Sequence, residues 1–311
     1  MSTRALIVAG PTASGKSALA LAVAEEFAGT IINADSMQLY RGLRILTAQP
    51  DDATQARVPH RLYGVLEPGD PASAGRWRTM ALEAIAETGE AGRLPILVGG
   101  TGLYLRALLQ GLAPIPPVPP AIREATRALH ARLGAAAFHR ALAERDPVAA
   151  ERLDPGNTQR VIRAYEVVEA TGKPLSAWQA EPGAAASGLR CFAMHVMPPR
   201  PALCAAIDAR FLRMMAQGAL DEVRALQARH LDPALPALKA LGVPALLKHL
   251  KGELSQEDAV CLAQQSTRQY AKRQATWFRH QLAADHVLDA QFSERFLPGI
   301  FAIIRQFCLT G

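Results

Sequence analysis

The sequence is short of several things. Aromatic residues make up only 5% of its 311 positions. Four cysteines, at 191, 204, 261 and 308, show no C-x-x-C pair. That excludes the common zinc-ribbon and dithiol motifs and leaves reduced core thiols as the expected state. No two of the eight histidines stand four apart, which excludes a zincin helix. Long hydrophobic runs are missing too. The apolar stretch 296–307 is too short to span a bilayer and contains Arg305, so no membrane partner is expected. Residues 4–10 lead straight into a glycine loop without the pattern of a secretory signal, and a cytoplasmic location is expected. Half the residues are hydrophobic and one fifth are charged, which excludes a wholly disordered chain.

Neither sign of charge dominates. Lys plus Arg is 34 and Asp plus Glu is 28, a net +6. This balance permits an anionic partner without requiring one. The excess is uneven: residues 1–120 hold ten basic and ten acidic groups, residues 121–195 ten and eight, and residues 196–311 fourteen and ten. A polyanion would therefore find most of its contacts in the second half.

Short apolar runs alternate with helical patterns through the first part. Residues 5–9, 30–35 and 94–98 read as strands, and 17–27, 77–90 and 102–109 as helices. Continuous apolar strands separated by helices imply a parallel sheet covered on both faces. Residues 113–120 then contain five prolines, a stiff extended boundary. Beyond it only helical patterns appear up to about residue 180, and a loose segment, 181–188, closes the block. Residues 189–197 read as a strand returning to the sheet. Helices near 201–217, 219–229, 243–251 and 256–283, a strand at 286–288 and a last helix follow. The expected organisation is an α/β core from 1–120 and 189–311, interrupted by a helical insertion at 121–188.

Gly10-Pro11-Thr12-Ala13-Ser14-Gly15-Lys16-Ser17 matches G-x-x-x-x-G-K-[ST] between a strand and a helix, the context that gives this motif its meaning. Its backbone N–H groups and the helix N-terminus would cradle an anion. Lys16 adds a full charge, and the Ser17 hydroxyl is placed to hold Mg²⁺. The fold class is therefore α/β, with a P-loop NTPase-like parallel sheet core, a helical insertion and a helical C-terminal region. Kinases, NTPases and other transferases share this cradle, so the ligand is open at this point.

Two further features fall at the same sheet edge. Asp35 ends the second strand, where open α/β sheets bind ligands. It would assist Mg²⁺ in an NTPase, act as a general base in a transferase, or cap a helix before Ser36-Met37-Gln38. Gly99-Gly100-Thr101-Gly102 follows the third strand, where an NTPase usually places a metal-binding carboxylate. That difference weakens motor and switch readings. Thr101 can donate a hydrogen bond to a phosphate oxygen or cap the helix behind it.

Together with Asp35 to Tyr40, Val58-Pro59-His60, Gly99 to Tyr104, Asn157 to Ala164 and Tyr270 to Arg279, the phosphate loop resembles the bacterial tRNA dimethylallyltransferase family. The matches run in order from residue 10 to 279. The resemblance implies prenyl transfer to N6 of adenosine 37 in tRNAs reading codons that begin with U. It implies dimethylallyl diphosphate, with Mg²⁺, on Gly10, Pro11, Thr12, Ala13, Ser14, Gly15, Lys16, Ser17 and Arg210. It implies Asp35 as the base and Thr101 beside the bridging oxygen of the leaving diphosphate, with Lys16 completing the catalytic set. It implies tRNA contacts at Asp35, Ser36, Met37, Gln38, Thr101, Arg123, Gln159, Arg160, Val161, Ile162 and Arg163, with the insertion holding the anticodon stem-loop of one tRNA on a monomer. The chain departs from the family pattern at Gln49, where a lysine is usual, at Arg61 after His60, and at Val243-Pro244, where a tyrosine and a basic residue are usual.

The long C-terminal helix adds an RNA-facing pattern of its own. Residues 259–284 contain no acidic group. Arg268, Lys272 and Arg279 share one stripe, and Arg273, Trp277 and His280 the next. Basic groups beside Tyr270 and Trp277 suit phosphate contact and stacking. The competing reading is a helix with both rings buried and a solvated cationic face. The family resemblance favours RNA, with Lys272, Arg273 and Arg279 as contacts. A prenyltransferase acting on free AMP or ATP, a small-molecule kinase and a non-catalytic RNA-binding protein are the alternatives.

Overall fold

The computed structural model describes residues 3–181 and 188–310. The chain divides into two compact units, residues 1–109 with 187–311, and residues 110–186. Of the loose segment expected at 181–188, residues 182–187 lie outside the described residues.

The larger unit begins with β1 (Thr3–Ala9), α1 (Lys16–Glu26), β2 (Gly29–Asn33), α2 (Asp52–Arg57), β3 (His60–Arg61), α3 (Ala74–Glu90), β4 (Leu94–Gly99) and α4 (Gly102–Gln110). The smaller unit holds α5 (Pro120–Ala143), α6 (Pro147–Arg152), α7 (Thr158–Thr171) and α8 (Leu175–Ala180). The chain then resumes the larger unit with β5 (Leu189–Val196), α9 (Arg200–Ala216), α10 (Ala219–Gln227), α11 (Val243–Leu250), α12 (Gln256–Gln281), β6 (His286–Leu288) and α13 (Leu297–Leu309). The strands form one parallel sheet in the order β3-β2-β4-β1-β5-β6.

Alternation along β1 shows why the sheet is doubly covered. Ala5, Ile7 and Ala9 face a cluster with Trp77, Leu105 and Phe278. Leu6 and Val8 face the other layer, with Leu19 and Val23 of α1 and Ile300 and Ile304 of α13. These five residues, Ala5 to Ala9, are 0% exposed, so neither face tolerates a polar side chain without a partner there. The smaller unit has its own core around Phe138, Leu142, Val161, Ala164 and Tyr165. Pro120 opens α5, and Gly134, at φ 74°, interrupts it.

Two local expectations change. β2 ends at Asn33 rather than at Asp35, because the Asn33 side chain bonds the backbone of Asp35 and Leu62 and turns the chain away. The brief β3 and the six-residue α2 have no periodic signal long enough to read. β3 pairs through only two residues.

Candidate active site at the carboxyl edge of the sheet

Because every strand is parallel, the loops after β1, β2 and β4 leave from one edge. β4 lies between the other two, with Ala9 opposite Gly99 and Asn33 opposite Val98. The phosphate loop, Thr101 and Asp35 therefore come together by topology alone.

The loop from Gly10 to Ser17 bends through three residues at positive φ: Gly10 at 151°, Ala13 at 64° and Gly15 at 93°. Gly15 cannot be replaced cheaply, since a Cβ there would lie 2.7 Å from Cβ of Phe292. The loop closes through the Ser14 N–H to the Pro11 carbonyl at 3.3 Å. Among the described residues, the N–H groups of Gly15, Lys16 and Ser17 have no acceptor. They stand at the start of α1, where an anion is the natural acceptor. The buried Ser14 hydroxyl also lacks a partner. Ser17 is exposed on the wall of a cavity of about 720 Å³ that Gln38, Tyr63 and Arg210 also line.

Two cations attend the loop. Lys16 Nζ lies 3.4 Å from the Pro11 carbonyl. Burial pulls its pKa down to about 8, with Asp35 opposing the shift and Arg210 adding to it. Arg210, from α9, donates to the Thr12 hydroxyl at 2.5 Å. Its pKa is lowered by burial first, with Asp35 again opposing. Two desolvated cations beside one carboxylate leave an excess of positive charge, the complement of a diphosphate.

Asp35 is held at both ends of its residue. Its N–H donates to Asn33 Oδ1 at 2.8 Å, and its carbonyl accepts from Asn33 Nδ2 at 2.9 Å. Its Oδ1 accepts from the Met37 N–H at 3.0 Å, a turn contact that occupies one oxygen, while the N-cap of the short helix at 37–39 is Ser36 rather than Asp35. Asp35 lines a second cavity, of about 270 Å³, with Ser36, Met37, Arg210, Tyr270 and Arg273. Burial raises the pKa values of Tyr63, Tyr104 and Tyr270, and the charge of Asp35 raises each further.

Thr101 donates its N–H to the Ala34 carbonyl at 3.2 Å. Its hydroxyl accepts from the Ser36 N–H at 3.0 Å and donates to the Ser36 hydroxyl at 3.3 Å. Tyr270 of α12 lies near enough to Thr101 for that side chain to offset part of the upward pKa shift of the phenol. The Thr101 side chain thus ties two loops together rather than capping α4.

The remaining expected RNA contacts divide by exposure. Lys272, Arg273 and Arg279 are exposed on α12, whereas Arg268 is engaged with Asp208 at 2.5 Å. Trp277 is packed: a Cβ on Gly102 would lie 2.1 Å from its ring. Gln38 spends its amide on the carbonyls of Thr47 and Ala48, at 2.8 and 2.9 Å. In the smaller unit, Arg123, Gln159 and Arg160 are exposed, and Ile162 and Arg163 half-buried. Val161 is a correction. Its side chain is 1% exposed inside the helical core, because it opens the inward stripe of α7, so it is not a side-chain contact for RNA. Among the departures from the family pattern, Gln49 bonds the Tyr40 carbonyl at 2.8 Å, Val243 is fully buried and Arg61 is exposed.

Sequence reasoning gave no role to two glutamines. Gln291 Nε2 donates to the Ala13 carbonyl at 2.9 Å, and Gln274 reaches the Thr12 N–H. Gln274 had one visible signal, its place one turn after Tyr270. Gln291 had none.

A parallel sheet whose first strand runs into this loop, with a carboxylate and a threonine at the neighbouring strand ends, defines a P-loop NTPase-like group-transfer protein. Comparison with known families narrows the class. The IPP transferase family model matches residues 38–281, and the chain belongs to that family. It is 58% identical over 295 residues to the tRNA dimethylallyltransferase of Rhodospirillum centenum, covering 94% of this chain and 91% of that one. It is 52% identical over 310 residues to that of Paramagnetospirillum magneticum, covering 100% and 98%. Its fold is similar to a solved tRNA isopentenylpyrophosphate transferase from Bacillus halodurans, with TM-score 0.69, 31% identity and coverage of 98% and 96%. It is also similar to a solved eukaryotic dimethylallyltransferase acting on tRNA, with TM-score 0.85, 25% identity and coverage of 99% and 80%.

Proposed function

We propose that the protein transfers the dimethylallyl group of dimethylallyl diphosphate to N6 of adenosine 37, in tRNAs reading codons that begin with U. The nitrogen forms a bond to the allylic carbon as the carbon–oxygen bond to diphosphate breaks. The amine proton passes to the Asp35 carboxylate. An exocyclic adenine amine is a weak nucleophile, so both a stabilised leaving group and a proton acceptor are needed.

The observation that carries this reading is one shared site: Arg210 bonds Thr12 of the phosphate loop and lines a cavity with Asp35, and Lys16 reaches the Pro11 carbonyl of the same loop. The free N–H groups of residues 15–17, with Lys16 and Arg210, would hold the diphosphate. Thr101 would face its bridging oxygen. The residues present fit Mg²⁺ held largely by substrate: the exposed Ser17 hydroxyl would supply a protein ligand and the diphosphate oxygens most of the others. Bound there, the ion would neutralise charge on the departing diphosphate. The target base would leave its stack to enter the cavity lined by Asp35, Tyr270 and Arg273, while Arg123, Gln159, Arg160 and Arg163 of the helical unit hold the stem-loop. One chain carries cradle and carboxylate together, so the reading needs only a monomer, acting in the cytoplasm where tRNA is found.

The test is nucleoside mass analysis of unmodified tRNA after incubation with the protein, Mg²⁺ and dimethylallyl diphosphate. One C5H8 unit added to adenosine 37 supports the reading. Equal transfer to free AMP, or phosphate transfer from ATP with no prenylation, would overturn it.

A further inference from the structure

At the sheet edge β1 and β4 part company. Their pairing ends with Ala9 opposite Gly99. Beyond that rung the phosphate loop and the Gly99–Gly102 loop diverge, and each exposes backbone groups that the ladder no longer satisfies. Gln274 fills the gap. It is 5% exposed. Its Oε1 accepts from the Thr12 N–H at 2.9 Å, and its Nε2 donates to the Gly100 carbonyl at 2.9 Å. One donor and one acceptor fix the orientation of the amide without ambiguity. The side chain serves as an extra peptide group set between two splayed strands. The fit is close, since a Cβ on Gly100 would come within 2.1 Å of Nε2.

We infer that Gln274 is a positioning residue for the transfer, setting the spacing between the diphosphate cradle and Thr101. It touches neither substrate. It acts on Thr12, whose hydroxyl holds Arg210, and on the residue just before Thr101. This inference rests on the proposed prenyl transfer for its catalytic part, whereas its effect on the cradle concerns any diphosphate.

Two variants test it. Gln274→Met keeps the length and loses both bonds, leaving the half-buried Thr12 N–H and the buried Gly100 C=O unpaired. With Mg²⁺ present, its affinity for inorganic pyrophosphate, read by calorimetry, is expected to fall about tenfold to a hundredfold, as loss of these two hydrogen bonds implies. Its kcat/KM for dimethylallyl diphosphate falls by a similar factor, while its tRNA affinity stays within about twofold. Gln274→Glu separates the two contacts. Ionised, the carboxylate accepts from Thr12 but sets a second oxygen against the Gly100 carbonyl. Protonated, it donates to that carbonyl and restores the pair. The ratio of its activity to wild type should therefore rise as pH falls, following the protonated fraction, while the ratio for Gln274→Met stays flat. A pyrophosphate affinity and kcat/KM within twofold of wild type for Gln274→Met, or a pH-independent ratio for Gln274→Glu, would overturn the inference. A wild-type protein that binds pyrophosphate but transfers no prenyl group instead sinks the proposed function, and the calorimetric comparison still decides the role of Gln274.

Discussion

The backbone N–H of Ser36 donates to the hydroxyl of Thr101 at 3.0 Å. That bond joins the loop after β2 to the loop after β4, and the same hydroxyl donates to the Ser36 hydroxyl at 3.3 Å, with Tyr270 of α12 close by. A hydroxyl that both accepts from and donates to Ser36 has its direction set before substrate arrives. Thr101→Ala is expected to lower kcat by about 10²–10³, the usual effect of losing one donor to a developing oxyanion. Thr101→Ser should keep most activity. Tyr270→Phe should cost less, and the double variant Thr101→Ala/Tyr270→Phe should lose less than the product of the two single effects. Strictly multiplicative losses would separate Tyr270 from Thr101.

Asp35 offers a cleaner substitution as asparagine than as alanine. Asparagine still presents an oxygen to the Met37 N–H that Oδ1 now accepts, so the turn survives. The capacity to take a proton is removed, together with the negative charge that acts on Lys16 and Arg210. Turnover should fall about 10²–10⁴-fold, the range for a positioned general base, with tRNA affinity unchanged in a filter-binding measurement. Wild-type turnover in Asp35→Asn would remove the base assignment.

Much of this site was legible because its parts are local. The phosphate loop is eight consecutive residues, and Asp35 and Thr101 each sit beside a strand end. A parallel sheet brings such ends together whatever the detailed packing. Long buried strands such as β1 announced themselves by continuous apolar residues, whereas two-residue β3 could not. What stayed hidden is contact at a distance. Gln274 and Thr12 are 262 positions apart, and no periodicity links them. Val161 shows the opposite error. A residue inside a motif looks functional in one dimension, yet the inward stripe of α7 places it in the core. Arg268 likewise reads as a free cation until its ion pair with Asp208 is seen.

The helical unit provides an electrostatic prediction. Arg160 is exposed, at the start of α7. If it meets a tRNA phosphate, Arg160→Ala should weaken binding of every substrate tRNA alike. The slope of log K against log salt should also become shallower by about one. The same change at Arg152, an exposed arginine outside the matched motif, serves as the control and should leave the slope alone. A slope unchanged in Arg160→Ala would take that residue out of the interface.

His195 contributes to how the fold responds to acid. It is 3% exposed on β5, its ring meets Phe278 edge-on at 5.2 Å, and its Nε2 has no partner among the described residues. Burial lowers its pKa below the ordinary 6.5, and the charge of Asp285 opposes that shift only in part. The folded state therefore resists protonation that the unfolded chain accepts. Stability contributed by the neutral ring is fully present above about pH 6.5 and is lost as pH falls from there towards the lowered folded pKa. The loss cannot exceed about 1.4 kcal/mol per pH unit for one group. His60, whose pKa is lowered mainly by burial, acts in the same direction, so the acid slope does not vanish with His195 alone. His195→Leu removes one titrating group and one orphaned nitrogen from an apolar setting. Denaturant melts at pH 7 and pH 5 should show a smaller acid loss in His195→Leu than in wild type. An identical loss in both would mean that folding leaves the ring's affinity for a proton unchanged.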